Sequence, residues 1–152
     1  MLVTFHAAAG ALIGEHVNHP YWAFVLAFIS HFLLDAVPHG DRGHIDEFAA
    51  GSRLKYIMGI RVVDAILTLV LSIIIFKTNF FIHPVSVAWG IIGGAVPDFL
   101  IGIYELSKWK YLKRFYIIHH KIHNIYERFE IGFWHANFWQ ALVILGILKL
   151  LR

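Results

Sequence analysis

His31 and Asp35, four residues apart in the apolar run Ser30-His31-Phe32-Leu33-Leu34-Asp35, are the clearest chemistry this sequence offers. On a helix, positions i and i+4 lie on one face about one turn apart, so an imidazole and a carboxylate spaced this way can bind one ion together. His119 and His123 repeat the spacing, and His6, Asp64 and Asp98 also lie in or beside apolar runs. An ionisable side chain in such a setting is costly unless it faces a bundle interior, pairs with another group or holds an ion. Pro38 follows Asp35 closely, so the helix is expected to end there and to present His39 and Asp41 at the same mouth. Pro97 is expected to kink or break its segment just before Asp98, a feature membranes tolerate where backbone lines a cavity.

The chain contains no cysteine, so any metal must be held by nitrogen and oxygen. Mixed His and Asp ligands suit Zn2+ first, with Mn2+ or Fe as further options, and a carboxylate such as Asp35 or Asp98 could bridge a second ion. The candidate metal ligands are His6, His31, Asp35, His39, Asp64, Asp98, His119 and His123, with Asp35 and Asp98 also placed in catalysis. Arg42 and Arg53, which follow the His39 to Asp41 mouth, are the candidate substrate contacts. A metal ion lowers the pKa of its water toward ~7 and, in pairs, stabilises both oxygens of an in-line displacement. The chemistry anticipated is therefore hydrolysis of a phosphoester, in a lipid or lipid-linked substrate if the site lies at membrane level.

The elements that must position these groups are apolar and long. Hydrophobic residues make up 59% of the 152 residues and charged residues 15%, and the mean hydropathy is +0.65, well outside the soluble range. Tyr21 to Val37, Ile60 to Phe76, Val85 to Leu106 and Ile131 to Leu151 each approach the length a spanning helix needs. Leu2 to Gly14 is a shorter, weaker fifth span. The predicted architecture is all-α: one multi-spanning membrane domain over residues 1–152, with four to five transmembrane helices. To these is added an amphipathic interfacial helix within Lys108 to Phe129. If the spans alternate in direction, ten of the thirteen Lys and Arg residues share one side with the N-terminus, which marks that side as cytoplasmic. His6, His31, Asp35, Asp64, Asp98 and the His119 to His123 cluster then gather at that inner face, while His16, His19 and His83 lie at the other.

The Ser30-His31-Phe32-Leu33-Leu34-Asp35 patch, the Pro97-Asp98 pair, His6-x3-Gly10 and His119-His120-Lys121-Ile122-His123-Asn124 resemble motifs of the LexA-binding, inner-membrane-associated metal-dependent hydrolases. The string His31-x3-Asp35-x2-Pro38-His39 is similar to a signature of zinc-dependent phospholipase C and S1/P1-type nucleases, one residue short. The resemblance implies a small multi-spanning metal-dependent hydrolase of a prokaryotic inner membrane. Here the Ser-His-x3-Asp patch precedes the Pro-Asp patch, the reverse of the family order, so no individual ligand is assigned from it.

Two other classes use the same residues. An ion or proton transporter would line a path with them, and a non-catalytic bundle would use them as glue between helices. The outer halves of the spans are nearly bare of ionisable groups, which favours a site at one face over a path. The basic balance, pI near 9.3, is explained by topology, and no nucleic-acid partner is expected. Membrane lipids are the expected partners. Gly90, Gly93, Gly94 and Gly102 would let spans pack closely, within one chain or in a homo-oligomer. The sequence contains no glycine-rich phosphate loop, Gly-x-Ser-x-Gly elbow or dinucleotide fingerprint.

Overall fold

Proline, glycine and alanine set out the helices of this chain. In the computed structural model, residues 1–37, 50–78, 81–123, 125 and 132–151 are described, with the backbone alone at 50–58 and 133. The helices are α1 (Val3–His16), α2 (Pro20–Asp35), α3 (Ala50–Thr78), α4 (Pro84–Ser107), α5 (Lys113–His123) and α6 (Phe133–Leu150), with a 3-10 turn at Lys110–Leu112 before α5. No strand occurs among the described residues. Pro20 and Pro84 each stand at the start of a helix, where a missing N–H costs nothing and the fixed φ favours helix entry. Lys108 closes α4 in the left-handed region, φ 53°, its N–H bonding the Tyr104 carbonyl at 2.8 Å. That reversal turns the chain into α5.

α1, the shortest and weakest of the anticipated spans, is the hub of the fold. It packs against α2, α3, α4 and α6, while α5 lies across α2 and α4. Ala7, Ala8 and Ala11 are buried, and glycine lets the backbones of α1 and α4 touch. A Cβ on Gly10 would lie 2.2 Å from the Gly90 oxygen, and one on Gly94 would lie 2.3 Å from the His6 oxygen. Close backbone approach of this kind is how helices associate where no hydrophobic difference separates them from lipid. Gly93 meets Phe24 of α2 in the same way, whereas Gly102 has open space around it and takes no part in packing among the described residues of this chain.

The pairings fix the direction of each helix. Gly10 faces Gly90, Gly14 faces Ser86 and His6 faces Gly94, so α4 runs antiparallel to α1. Thr4 meets Asp64 and Ala8 shares a core with Ile75, so α3 runs parallel to α1. Leu2 meets Gln140, and Ile147 joins that same core, so α6 is also parallel to α1. His31 stacks on His6, and Ala23 and Ala27 are buried earlier along α2, which returns toward the first end of α1. The core of Ala7, Ala8, Ala11, Ile75, Val87, Ile91, Ile147 and Leu151 fills one end of this arrangement. His6, His31, Asp35, Asp64, Asp98 and His119 occupy the other.

Two helices, Gly59–Thr78 within α3 and Pro84–Ser107, are long and apolar enough to cross a membrane, and Pro20–Asp35 is apolar but shorter. Their outward faces carry exposed Val62, Val63, Ile66, Leu69, Ile92, Phe99 and Ile103. One expectation is corrected: Pro97 does not break its helix, because α4 continues from Pro84 to Ser107. The donor lost at Pro97 is the one that would have served Gly93, and the flanking helices hold this stretch by close packing.

Candidate metal centre

Four ligand atoms from three helices meet where α2, α4 and α5 come together. One atom each from His31, Asp35, Asp98 and His119 lies within 4.8 Å of every other, so this group could hold a metal ion. His31 and Asp35 stand one turn apart at the end of α2, their Nε2 and Oδ2 3.1 Å apart. α5 brings in His119, whose Nε2 is 3.2 Å from the same Asp35 oxygen and 3.1 Å from the His31 Nε2. Asp98, on α4 one residue past Pro97, sets Oδ1 at 3.9 Å from His31 and 3.7 Å from His119.

These spacings can be compared with an ion's requirements. Two ligand atoms about 2.1 Å from one ion and a tetrahedral angle apart are separated by about 3.4 Å. The five contacts above, from 3.1 to 3.9 Å, bracket that value.

The hydrogen bonding of His31 points the same way. His31 Nδ1 lies 2.9 Å from the Gly94 carbonyl, which can only accept, so Nδ1 carries a proton and Nε2 is the ring atom turned toward the centre. A second-shell carbonyl that fixes tautomer and ring orientation is the usual support of a metal-binding histidine. Two Nε2 atoms and a carboxylate oxygen stand mutually 3.1 to 3.2 Å apart.

Burial grades the four residues. His31, Asp35 and His119 are almost wholly enclosed, while the Asp98 side chain is 22% exposed and stands farthest from the imidazoles. The centre thus consists of a tight pair of histidines with one carboxylate, and a second carboxylate on its more open side. Among the described residues no hydrogen bond reaches Asp98 Oδ2 or His119 Nδ1.

The other candidate residues take different places. His6 is fully buried but reaches the centre through Asp35: its Nε2 donates to Oδ1, the oxygen turned away from His31 and His119, at 3.1 Å. Its ring stacks on His31 with centroids 3.9 Å apart. Asp64 is engaged elsewhere. It caps α1 from α3, with Oδ2 accepting the Val3 N–H at 2.6 Å and Oδ1 accepting the Thr4 N–H at 3.2 Å and its hydroxyl at 2.5 Å. α1 has no cap from its own residue Leu2, so this carboxylate serves donors that would otherwise be buried unpaired. Arg61, one turn before Asp64 on α3, pairs with Glu105. His123 stacks beside His119, ring centroids 6.1 Å apart, and is outside the four-residue group. His39, Asp41 and Arg42 lie outside the described residues, as does the side chain of Arg53.

Three supports had no signal in the sequence. The Gly94 carbonyl orients His31, Gln140 Oε1 accepts the Leu2 N–H at 3.0 Å, and Thr68 bridges Thr4 to α3. Gln140 sits in an aromatic run, where one buried amide among apolar residues is the only cue available. Next to the centre on α5, His120 is half buried and donates Nδ1–H to the Tyr116 carbonyl at 3.1 Å. Burial holds its pKa below the ordinary imidazole value, so this ring stays neutral near pH 7.

No protein-family model matches this chain, and neither a curated protein nor a solved structure is similar to it.

Proposed function

We propose that this chain is an integral membrane hydrolase that uses one divalent metal ion, Zn2+ for preference, to cleave a phosphoester in a lipid or lipid-linked substrate. The observation that carries the reading is the convergence of His31, His119 and Asp35 into a buried three-residue set, with Asp98 standing slightly apart on the open side. Two histidines and one carboxylate are the ligand set of several catalytic zinc sites, which keep a fourth position open, whereas structural sites are closed by four tight ligands. Bound there, the ion would supply Lewis acidity, polarising a phosphoryl oxygen and acidifying water.

The protein's own residues supply the rest. Asp98, whose Oδ2 is engaged by no described residue, is placed to take a proton from the attacking water as general base. His6 holds Asp35 by its outer oxygen, and Gly94 holds His31, so the ligands stay oriented without rearrangement. In this reading α1, α2, α3, α4 and α6 all cross a prokaryotic cytoplasmic membrane and α5 lies along its inner surface, with the N-terminus inside. A lipid phosphate can then reach the centre at the depth where its headgroup resides. The class of chemistry agrees with the hydrolase resemblance of the sequence. A conducting path suits the molecule less well, because the far half of the bundle is closed by alanine, isoleucine, valine and leucine.

The test is a hydrolysis assay in mixed micelles with phosphatidic acid, phosphatidylglycerol and prenyl diphosphate, following released phosphate or headgroup. Zn2+-dependent turnover that falls by about 10²-fold or more in Asp98→Asn is expected. Turnover unaffected by chelation or by this substitution would overturn the reading.

A further inference from the structure

The surface formed by the 3-10 turn and α5 has no role yet in the centre it supports. From residue 106 to residue 126 the sequence carries five lysines and arginines and no acidic residue. Lys108, Lys110, Lys113, Arg114 and Lys121 are all exposed. On α5 the two faces are cleanly divided. Phe115, His119 and Ile122 follow helical spacing on the inward side, where Phe115 packs on Phe28 and Phe32 and His119 enters the metal centre. Arg114, Ile117, Ile118 and Lys121 form the opposite stripe, the two isoleucines 43% and 46% exposed between two cations. Trp109 and Tyr111 extend the same exposed surface on the turn.

We infer that this cationic, apolar stripe docks on anionic phospholipid headgroups and, by doing so, holds His119 in the metal centre. A charge run that only set topology would need no isoleucine pair between its cations. A nucleic acid or an acidic soluble peptide would match the charges and leave Ile117, Ile118, Trp109 and Tyr111 in water. A bilayer surface matches both, with hydrocarbon stems and aromatic rings at the acyl boundary and cations at the phosphates. Each basic residue near such a surface is attracted to its anionic headgroups. α5 meets the rest of the molecule through α2 and α4, by a narrow face of aromatic rings and His119 itself. Its position therefore depends on what lies on its outer side. Linkage is reciprocal: if anionic lipid favours the docked helix, it also favours metal, and metal favours docking.

The coupling rests on the metal reading, whereas the docking does not, and one experiment separates them. The intact protein is placed in nanodiscs of phosphatidylcholine, alone or with about one-third phosphatidylglycerol. Amide hydrogen exchange over residues 108–123 is measured without metal, then Zn2+ is titrated by chelator competition. The wild type is expected to exchange roughly ten-fold more slowly in this segment in anionic discs, and the double variant Arg114→Gln/Lys121→Gln to lose most of that gain. Equal exchange in both discs, or a gain that survives in the variant, would overturn the docking. So would the same protection produced by poly-glutamate in phosphatidylcholine discs, which would assign the surface to an acidic protein. Zn2+ affinity is expected to rise in anionic discs more for the wild type than for the variant; an equal rise is cation accumulation at the charged surface and overturns the coupling. Protection without any Zn2+ binding would sustain docking and defeat the metal reading instead.

Discussion

Asp35 is the residue on which the centre turns, because its two oxygens do different work. Oδ2 faces His31 and His119, while Oδ1 accepts from His6. Asp35→Asn is therefore expected to abolish stoichiometric metal binding, since an amide cannot replace the charge and sets an N–H₂ against one of these partners. Asp98→Asn is expected to retain metal while losing turnover, because Asp98 stands farther out at 3.7 and 3.9 Å. Elemental analysis beside an activity assay distinguishes the two; equal metal loss in both variants would place Asp98 among the tight ligands. His31 and Asp35 could be read from spacing alone, because i and i+4 on a helix leave little freedom. Asp64 could not. It is as buried and as close to apolar residues as Asp35, but its partners are backbone groups of a distant helix end, which carry no residue-type signature.

At the scale of the element, α1 shows what hydropathy misses. The run Val3–His16 is short and only moderately apolar, yet its alanines and glycines let four other helices approach it. Small size, more than hydrophobicity, places it at the centre. Gly10→Val is expected to unseat α1 from α4, because a Cβ would meet the Gly90 carbonyl at 2.2 Å, and to lower thermal stability with loss of metal. Gly102→Ala, with open space around it, is the matched control and should leave the melting temperature in detergent unchanged. Asp64→Ala is expected to cost about 1–3 kcal/mol by stranding the buried N–H groups of α1. Metal stoichiometry should survive in the fraction that remains folded. A variant as stable as the wild type in a tryptophan-fluorescence melt would contradict the capping role. The bounds of α2, α4 and α6 lie within a few residues of the apolar runs because apolar length is a local signal, whereas α3 begins at Ala50, ten residues before its apolar run at Ile60. The continuity of α4 through Pro97 was not anticipated, since it depends on how tightly the neighbouring backbones hold that turn.

For the whole molecule, the alternation of helix directions separates the end that holds the candidate metal centre from the end packed by alanine, isoleucine, valine and leucine. α1, α3 and α6 run one way and α2 and α4 the other, so the start of α1, the end of α2 and the later part of α4 share a level with α5. This common level explains how residues as far apart as His31 and His119 meet at 3.1 Å. It was inferable from the sequence once alternation was assumed, whereas the choice of His119 over His120 and His123 required the orientation of α5. Binding of a divalent metal ion by His31, Asp35 and His119, with Asp98 beside them, is tested most directly by elemental mass spectrometry of untagged protein purified in detergent without added metal. The expected result is close to one divalent ion per chain in the wild type, lost in His31→Ala and Asp35→Ala while both variants retain their helical circular dichroism. A folded wild type that stays metal-free even after incubation with Zn2+ or Mn2+ would contradict the account and leave these residues as helix-packing groups.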